Sequence, residues 1–82
     1  MNPVREATEV AQRSLAGLGE RLRHAREARR LTLEDVAEQA SLTKGYISKV
    51  ERNQATPSVA VLLRVCETLG LSIGDLFDPE AG

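Results

Sequence analysis

The sequence predicts an all-α fold, a compact bundle of five helices, and three observations carry that expectation. Alanine, leucine, valine, glutamate and arginine dominate the 82 residues, a composition that favours helices. Apolar residues recur at steps of three and four along successive segments, and strand-like alternation is absent. The segments are punctuated by Thr or Ser in front and by Asn, Gly or Pro behind, the residues that cap and stop helices. A chain this short allows one domain around one modest core.

Residues 1–14 form an N-terminal arm or an extra helix. Asn2 and Pro3 can cap and start a helix, and Val4, Ala7, Val10 and Ala11 give it a thin apolar stripe with few large side chains to dock. The main domain is expected over residues 15–78, with 79–82 as a C-terminal tail. Its first helix covers about 15–29, where Leu15, Leu18, Leu22, Ala25 and Arg29 line one narrow stripe. Gly17 and Gly19 weaken its start and can move the boundary to Leu18.

A second helix opens at Thr32, with Asp35 in position to complete a capping box, and buries Leu33, Val36, Ala37 and Ala40. A tight turn at Ser41 leads to a third helix of about 43–52, opened by Thr43. On a wheel of about 100° per residue, Lys44, Ser48, Arg52, Gly45 and Lys49 share an arc of about 140°. Tyr46, Val50 and Ile47 fall on the opposite side, with Glu51 beside them. One face is thus small and cationic with no acid of its own, which suits entry into a DNA major groove.

Asn53 is placed to end this helix in the left-handed conformation. Thr56 or Ser58 caps a fourth helix reaching Leu69, with Val59, Leu62, Leu63, Cys66 and Leu69 turned inward, and Gly70 stops it. Ser72 with Asp75 starts a last short helix carrying Ile73, Leu76 and Phe77, and Pro79 ends it.

The net charge of −1 does not advertise nucleic-acid binding, but its distribution does. Residues 21–30 carry five arginines against one glutamate, whereas residues 65–82 are acidic with no cation. With Tyr46 and Phe77 as the only aromatics, a base-stacking surface for single strands is excluded. One cysteine, Cys66, expected to pack inward, excludes an internal disulfide and a multi-cysteine zinc site, so no metal or cofactor is expected. With one histidine, His24, no nucleophile–base arrangement can be assembled, and the chain is not expected to be an enzyme. No apolar run approaches the roughly 20 residues of a membrane span, and the N-terminus lacks a signal-peptide core. A soluble intracellular protein is expected.

The run from Leu18 to Phe77, above all LEDVAEQASLTKGYISKVER and LGLSIGDLF, resembles the phage repressor and Cro type helix-turn-helix domain of the xenobiotic-response-element (XRE) family. The resemblance implies a lambda-repressor-like bundle and a bacterial, cytoplasmic, nucleoid-associated transcriptional regulator. It would bind a pseudo-palindromic operator in double-stranded DNA as a homodimer, with residues 43–52 as recognition helix. Two such helices would enter successive major grooves roughly 34 Å apart.

By position, the resemblance makes Lys44, Gly45, Ser48 and Lys49 base-reading residues. Thr32 and Leu33 at one helix N-terminus, and Arg52, Asn53 and Gln54 after the recognition helix, become phosphate contacts. Thr43 joins them at the head of that helix. Tyr46 is expected to pack its ring on the core and to reach a phosphate with its hydroxyl. Arg26 and Glu51 take the place of an ion pair between the first and third helices. Family members often carry a C-terminal sensor domain, frequently of the cupin type, so the chain is either a minimal regulator or the DNA-binding piece of a longer one.

Three departures stand out: Ser41 and Asn53 replace glycines, and Leu33 replaces a polar residue. The dimer surface is assigned to Ile73, Leu76 and Phe77, with the N-terminal arm as rival. The competing reading is a protein-interaction module or antitoxin that uses the same bundle, with its acidic end and the Leu76–Phe77 region as the contact.

Overall fold

The computed structural model describes residues 17–77. These form five helices and no strand: α1 Leu18–Ala28, α2 Leu33–Ala40, α3 Lys44–Glu51, α4 Val59–Leu69 and α5 Ile73–Phe77. The first helix therefore starts at Leu18, the later of the two expected boundaries, after Gly17 in the N-cap position. The arm of residues 1–14, Leu15 and the tail of residues 79–82 lie outside the described residues.

Local chemistry sets the helix starts. The Thr32 hydroxyl accepts from Asp35 N at 3.0 Å while Asp35 Oδ2 accepts from Thr32 N at 2.8 Å, a complete capping box on α2. Thr43 Oγ1 accepts from Tyr46 N at 3.1 Å on α3. Of the two candidates for α4, Ser58 is the cap, its Oγ accepting from Val61 N at 3.2 Å. Ser72 and Asp75 bond reciprocally at 3.0 and 3.2 Å on α5.

The first four helices end in one way. A residue with left-handed backbone follows each: Arg30 (φ 58°), Ser41 (57°), Asn53 (58°) and Gly70 (69°). The next N–H then bonds back into the last turn, as Leu31 to Arg26 O (3.1 Å), Leu42 to Ala37 O (2.8 Å), Gln54 to Lys49 O (2.7 Å) and Leu71 to Cys66 O (2.9 Å). These are Schellman closures. Leu31, Leu42 and Leu71 also pack against the core, which offsets a left-handed strain of roughly 1 kcal/mol at Arg30 and Ser41. Asn53 is expected in this conformation, and Ser41 stands at a turn where it replaces a glycine; Arg30 carries no glycine or asparagine signal.

The core gathers Leu18 and Leu22 from α1, Val36, Ala37 and Ala40 from α2, and Ile47 and Val50 from α3. Leu62, Val65, Cys66 and Leu69 from α4 and Leu76 from α5 complete it. Helix α2 packs on α3 and α4, while α1 packs on α3 and α5. The expected inner face of α4 needs correction: Val59 and Leu63 are exposed, and Val65 is buried in their place. The helix is apolar over more arc than α2 covers, and it is turned by roughly 50° from the expected stripe.

Two glycines are required by geometry. A Cβ on Gly19 would lie 2.5 Å from the Val50 and Glu51 carbonyl oxygens, so α1 can cross the end of α3 only without a side chain there. Gly70 combines positive φ with a position against the Arg29 guanidinium, which donates to Leu69 O and closes the C-terminus of α4. Among the described residues no helix is long and apolar enough to cross a membrane.

Candidate nucleic-acid interface

Helix α3 divides as its wheel requires. Ile47 and Val50 are buried, Tyr46 is half-buried against the core, and Lys44, Gly45, Lys49 and Arg52 are exposed with Ser48 half-buried beside them. Nothing lies within 4 Å of the position a Cβ would take on Gly45, so the middle of this face is open.

An ion pair fixes the helix from behind. Arg26 Nε donates to Glu51 Oε2 at 2.8 Å and Nη2 donates to Oε1 at 3.0 Å, while Nη1 donates to Leu31 O at 2.9 Å. The two side chains are 13% and 8% exposed, so a bidentate pair joins α1, α3 and the α1–α2 turn largely out of water. The hydrogen bond it donates to Glu51 holds the Arg26 pKa above its ordinary value, against the opposing effect of burial.

The loop after α3 is held by its own contacts. Asn53 Oδ1 accepts from Gly19 N at 3.3 Å, Arg52 Nε donates to Ser48 O at 3.3 Å, and Gln54 is exposed. Asn53, assigned to phosphate, thus has its carbonyl oxygen engaged with the start of α1, and its amide Nδ2 is the group that would donate to a phosphate. Thr43 Oγ1 is likewise engaged as a cap.

At the head of α2, Arg30, Thr32, Leu33, Glu34 and Lys44 line an open concavity of about 460 Å³. Leu33 is half-buried against the core, so its contribution there is its backbone. Thr32 is committed to its capping box, whose backbone and side-chain hydrogen bonds lower the Asp35 pKa. Sequence reasoning missed two groups of this rim. Arg30 was visible only as part of a basic run. Glu34 pairs with Lys44 at 3.2 Å, so the face that α3 alone leaves free of acid receives a carboxylate from α2, which a single-helix wheel could not show.

The residues assigned to a dimer surface separate. Leu76 is 1% exposed and belongs to the core, so it cannot also face a partner; Ile73 is half-buried and Phe77 is exposed. The contact of the competing protein-interaction reading loses Leu76 on the same ground. Cys66 is buried, which pushes its thiol pKa up and away from reactivity. His24 is exposed beside Glu20. Among the described residues no group of acids, histidines or cysteines could hold a metal ion.

The helix-turn-helix domain family matches residues 17–79. The chain is 38% identical over 61 residues to the HTH-type transcriptional regulator DdrOP3 of Deinococcus deserti, covering 74% of this chain and 47% of that protein. It is 36% identical over 64 residues to the HTH-type transcriptional regulator SinR of Bacillus subtilis, covering 77% and 58%. Its fold is similar to the crystal structure of the restriction-modification controller protein C.AhdI from Aeromonas hydrophila. There the TM-score is 0.74 and the identity 33%, over 77% of this chain and 96% of the other. The chain spans about half the length of the curated relatives it matches.

Proposed function

This chain belongs to the helix-turn-helix domain family, and we propose that it binds double-stranded DNA sequence-specifically as a bacterial transcriptional regulator. The observation that carries the reading is the outer face of α3, cationic, open at Gly45 and held in place by the Arg26–Glu51 pair. Small and long-stemmed polar side chains on a fixed helix can reach base edges in the major groove.

Lys44, Gly45, Ser48 and Lys49 face the bases. The phosphates meet the Leu33 N–H in the first turn of α2, which the helix leaves without an internal acceptor, and the Thr32 hydroxyl, which can donate outward while its oxygen caps the helix. Thr43 and Tyr46 at the head of α3, with Arg52 and Gln54 after it, continue the backbone contacts. Asn53 holds this loop to α1 through its carbonyl oxygen, and its amide Nδ2 is the donor that would meet a phosphate. Arg30 joins the set from the rim of the concavity.

The regulator works in the cytoplasm, on the nucleoid. One domain with so few base-reading groups discriminates weakly, and a homodimer on two half-sites multiplies its affinity. With Leu76 in the core, the large apolar side chains left exposed for a second copy among the described residues are Val59, Leu63 and Phe77.

Selection of bound duplexes from a random pool tests the reading. The expected product is an inverted repeat with half-sites about one helical turn apart. Enrichment of no sequence at any salt concentration would overturn it.

A further inference from the structure

Lys44 and Glu34 come from different helices and meet at the rim of the α2–α3 face, Nζ to Oε1 3.2 Å. Both side chains are largely open to solvent, 60% and 73% exposed, so the contact adds little to the fold. Its position is what matters. Asp35, the other first-turn carboxylate of α2, is turned back onto Thr32 N, which leaves Glu34 to face α3. Lys44 is the first residue of α3, where the helix dipole disfavours a cation, and Glu34 sits in the first turn of α2, where the dipole favours an anion. The two line the same concavity as Thr32 and Arg30.

Resting on the DNA-binding reading above, we propose that Glu34 is a specificity-determining residue that withholds Lys44 from sequence-independent phosphate binding. Non-specific association is made of phosphate contacts, each releasing counterions. A lysine that stays paired with Glu34 neutralises no phosphate and releases none. In the specific complex Lys44 lies over base edges, donating to a base with one N–H while another stays on Glu34, so the pair is kept there and freeing the lysine adds no phosphate contact. The carboxylate therefore weakens binding to arbitrary duplex more than binding to the operator, and the ratio of the two rises.

The test is fluorescence anisotropy of the wild type, Glu34→Gln and the neutral pair Glu34→Gln/Lys44→Met. Each is titrated with a selected duplex and a random one between about 50 and 200 mM salt. Glu34→Gln is expected to bind the random duplex about three- to tenfold tighter at the lowest salt. Its log–log salt slope on that duplex is expected to steepen by about 0.9, one phosphate's worth. Its selected-to-random ratio falls, and the neutral pair returns the slope to the wild-type value. A Glu34→Gln slope and ratio equal to wild type would overturn the inference. So would a neutral pair that keeps the steeper slope, because the gain would then not pass through Lys44. A wild type that prefers no duplex at any of these salts overturns the DNA-binding reading and this inference together. A discriminating wild type beside an unaltered Glu34→Gln overturns the inference alone.

Discussion

Asn53 Oδ1 accepts the backbone N–H of Gly19 at 3.3 Å, across 34 positions of sequence. Gly17, at the N-cap of α1, offers no side-chain cap, so a residue just beyond the C-terminus of α3 supplies one. The same Asn53 holds the left-handed turn that ends α3 (φ 58°). One side chain thus satisfies an orphan donor of α1 and fixes where the loop after α3 begins. Asn53→Ala should destabilise the fold by about 1–2 kcal/mol through loss of the cap and added strain. Asn53→Gly, which relieves the strain and loses only the cap, should lose less. Urea unfolding of the two variants checks the order, and an alanine variant as stable as wild type would contradict it.

Gly19 and Gly45 should respond oppositely to alanine. At Gly19 the new Cβ would meet two backbone carbonyls at 2.5 Å. Forcing α1 off α3 costs about 1–3 kcal/mol, as overpacking does. At Gly45 the space is open, and removing a glycine from the first turn of α3 should stabilise by up to about 0.5–1 kcal/mol. If DNA approaches Gly45 closely, that more stable variant will bind its operator less well. Thermal melts and anisotropy on both variants separate the effects.

Glu51→Ala should lower stability by roughly 3–5 kcal/mol, because it strands a guanidinium that is only 13% exposed. Melting near the wild-type temperature would show that the pair is not needed by the fold.

Asp35 gives the stability a pH dependence of known sign. Its hydrogen bonds from Thr32 depress its pKa in the folded state. A depressed carboxylate contributes stability that is fully present above the unfolded value of about 3.9 and is lost as pH falls through the lower folded value. Denaturant midpoints from pH 7 down to the acid limit should therefore drop in the most acid range. Asp35→Asn should flatten that part of the profile, and an unchanged acid limb in the variant would contradict the assignment.

What was legible in the sequence was short-range. Thr32 with Asp35 and Ser72 with Asp75 announce their caps because both partners lie three residues apart. The two faces of α3 follow from its own periodicity, and Glu51 lay on the correct side of it. What was not legible needed a second element. The rotation of α4 is chosen by α2. Gly19 reads as a weak helix former until the end of α3 is seen against it. Glu34 reads as an ordinary first-turn acid until Lys44 is found 3.2 Å away. Leu76 and Phe77 are adjacent in sequence, yet one is core and the other surface, since a one-residue step turns a helix by about 100°.

The most direct test of the central claim is the affinity of Lys49→Ala for a selected duplex, measured by anisotropy beside its thermal melt. Lys49 lies on the exposed face of α3, on the opposite side from the buried Ile47 and Val50. The expected loss of affinity is about five- to hundredfold, as for a base or phosphate contact worth about 1–3 kcal/mol, with an unchanged melting temperature. Wild-type affinity in the folded variant would contradict it.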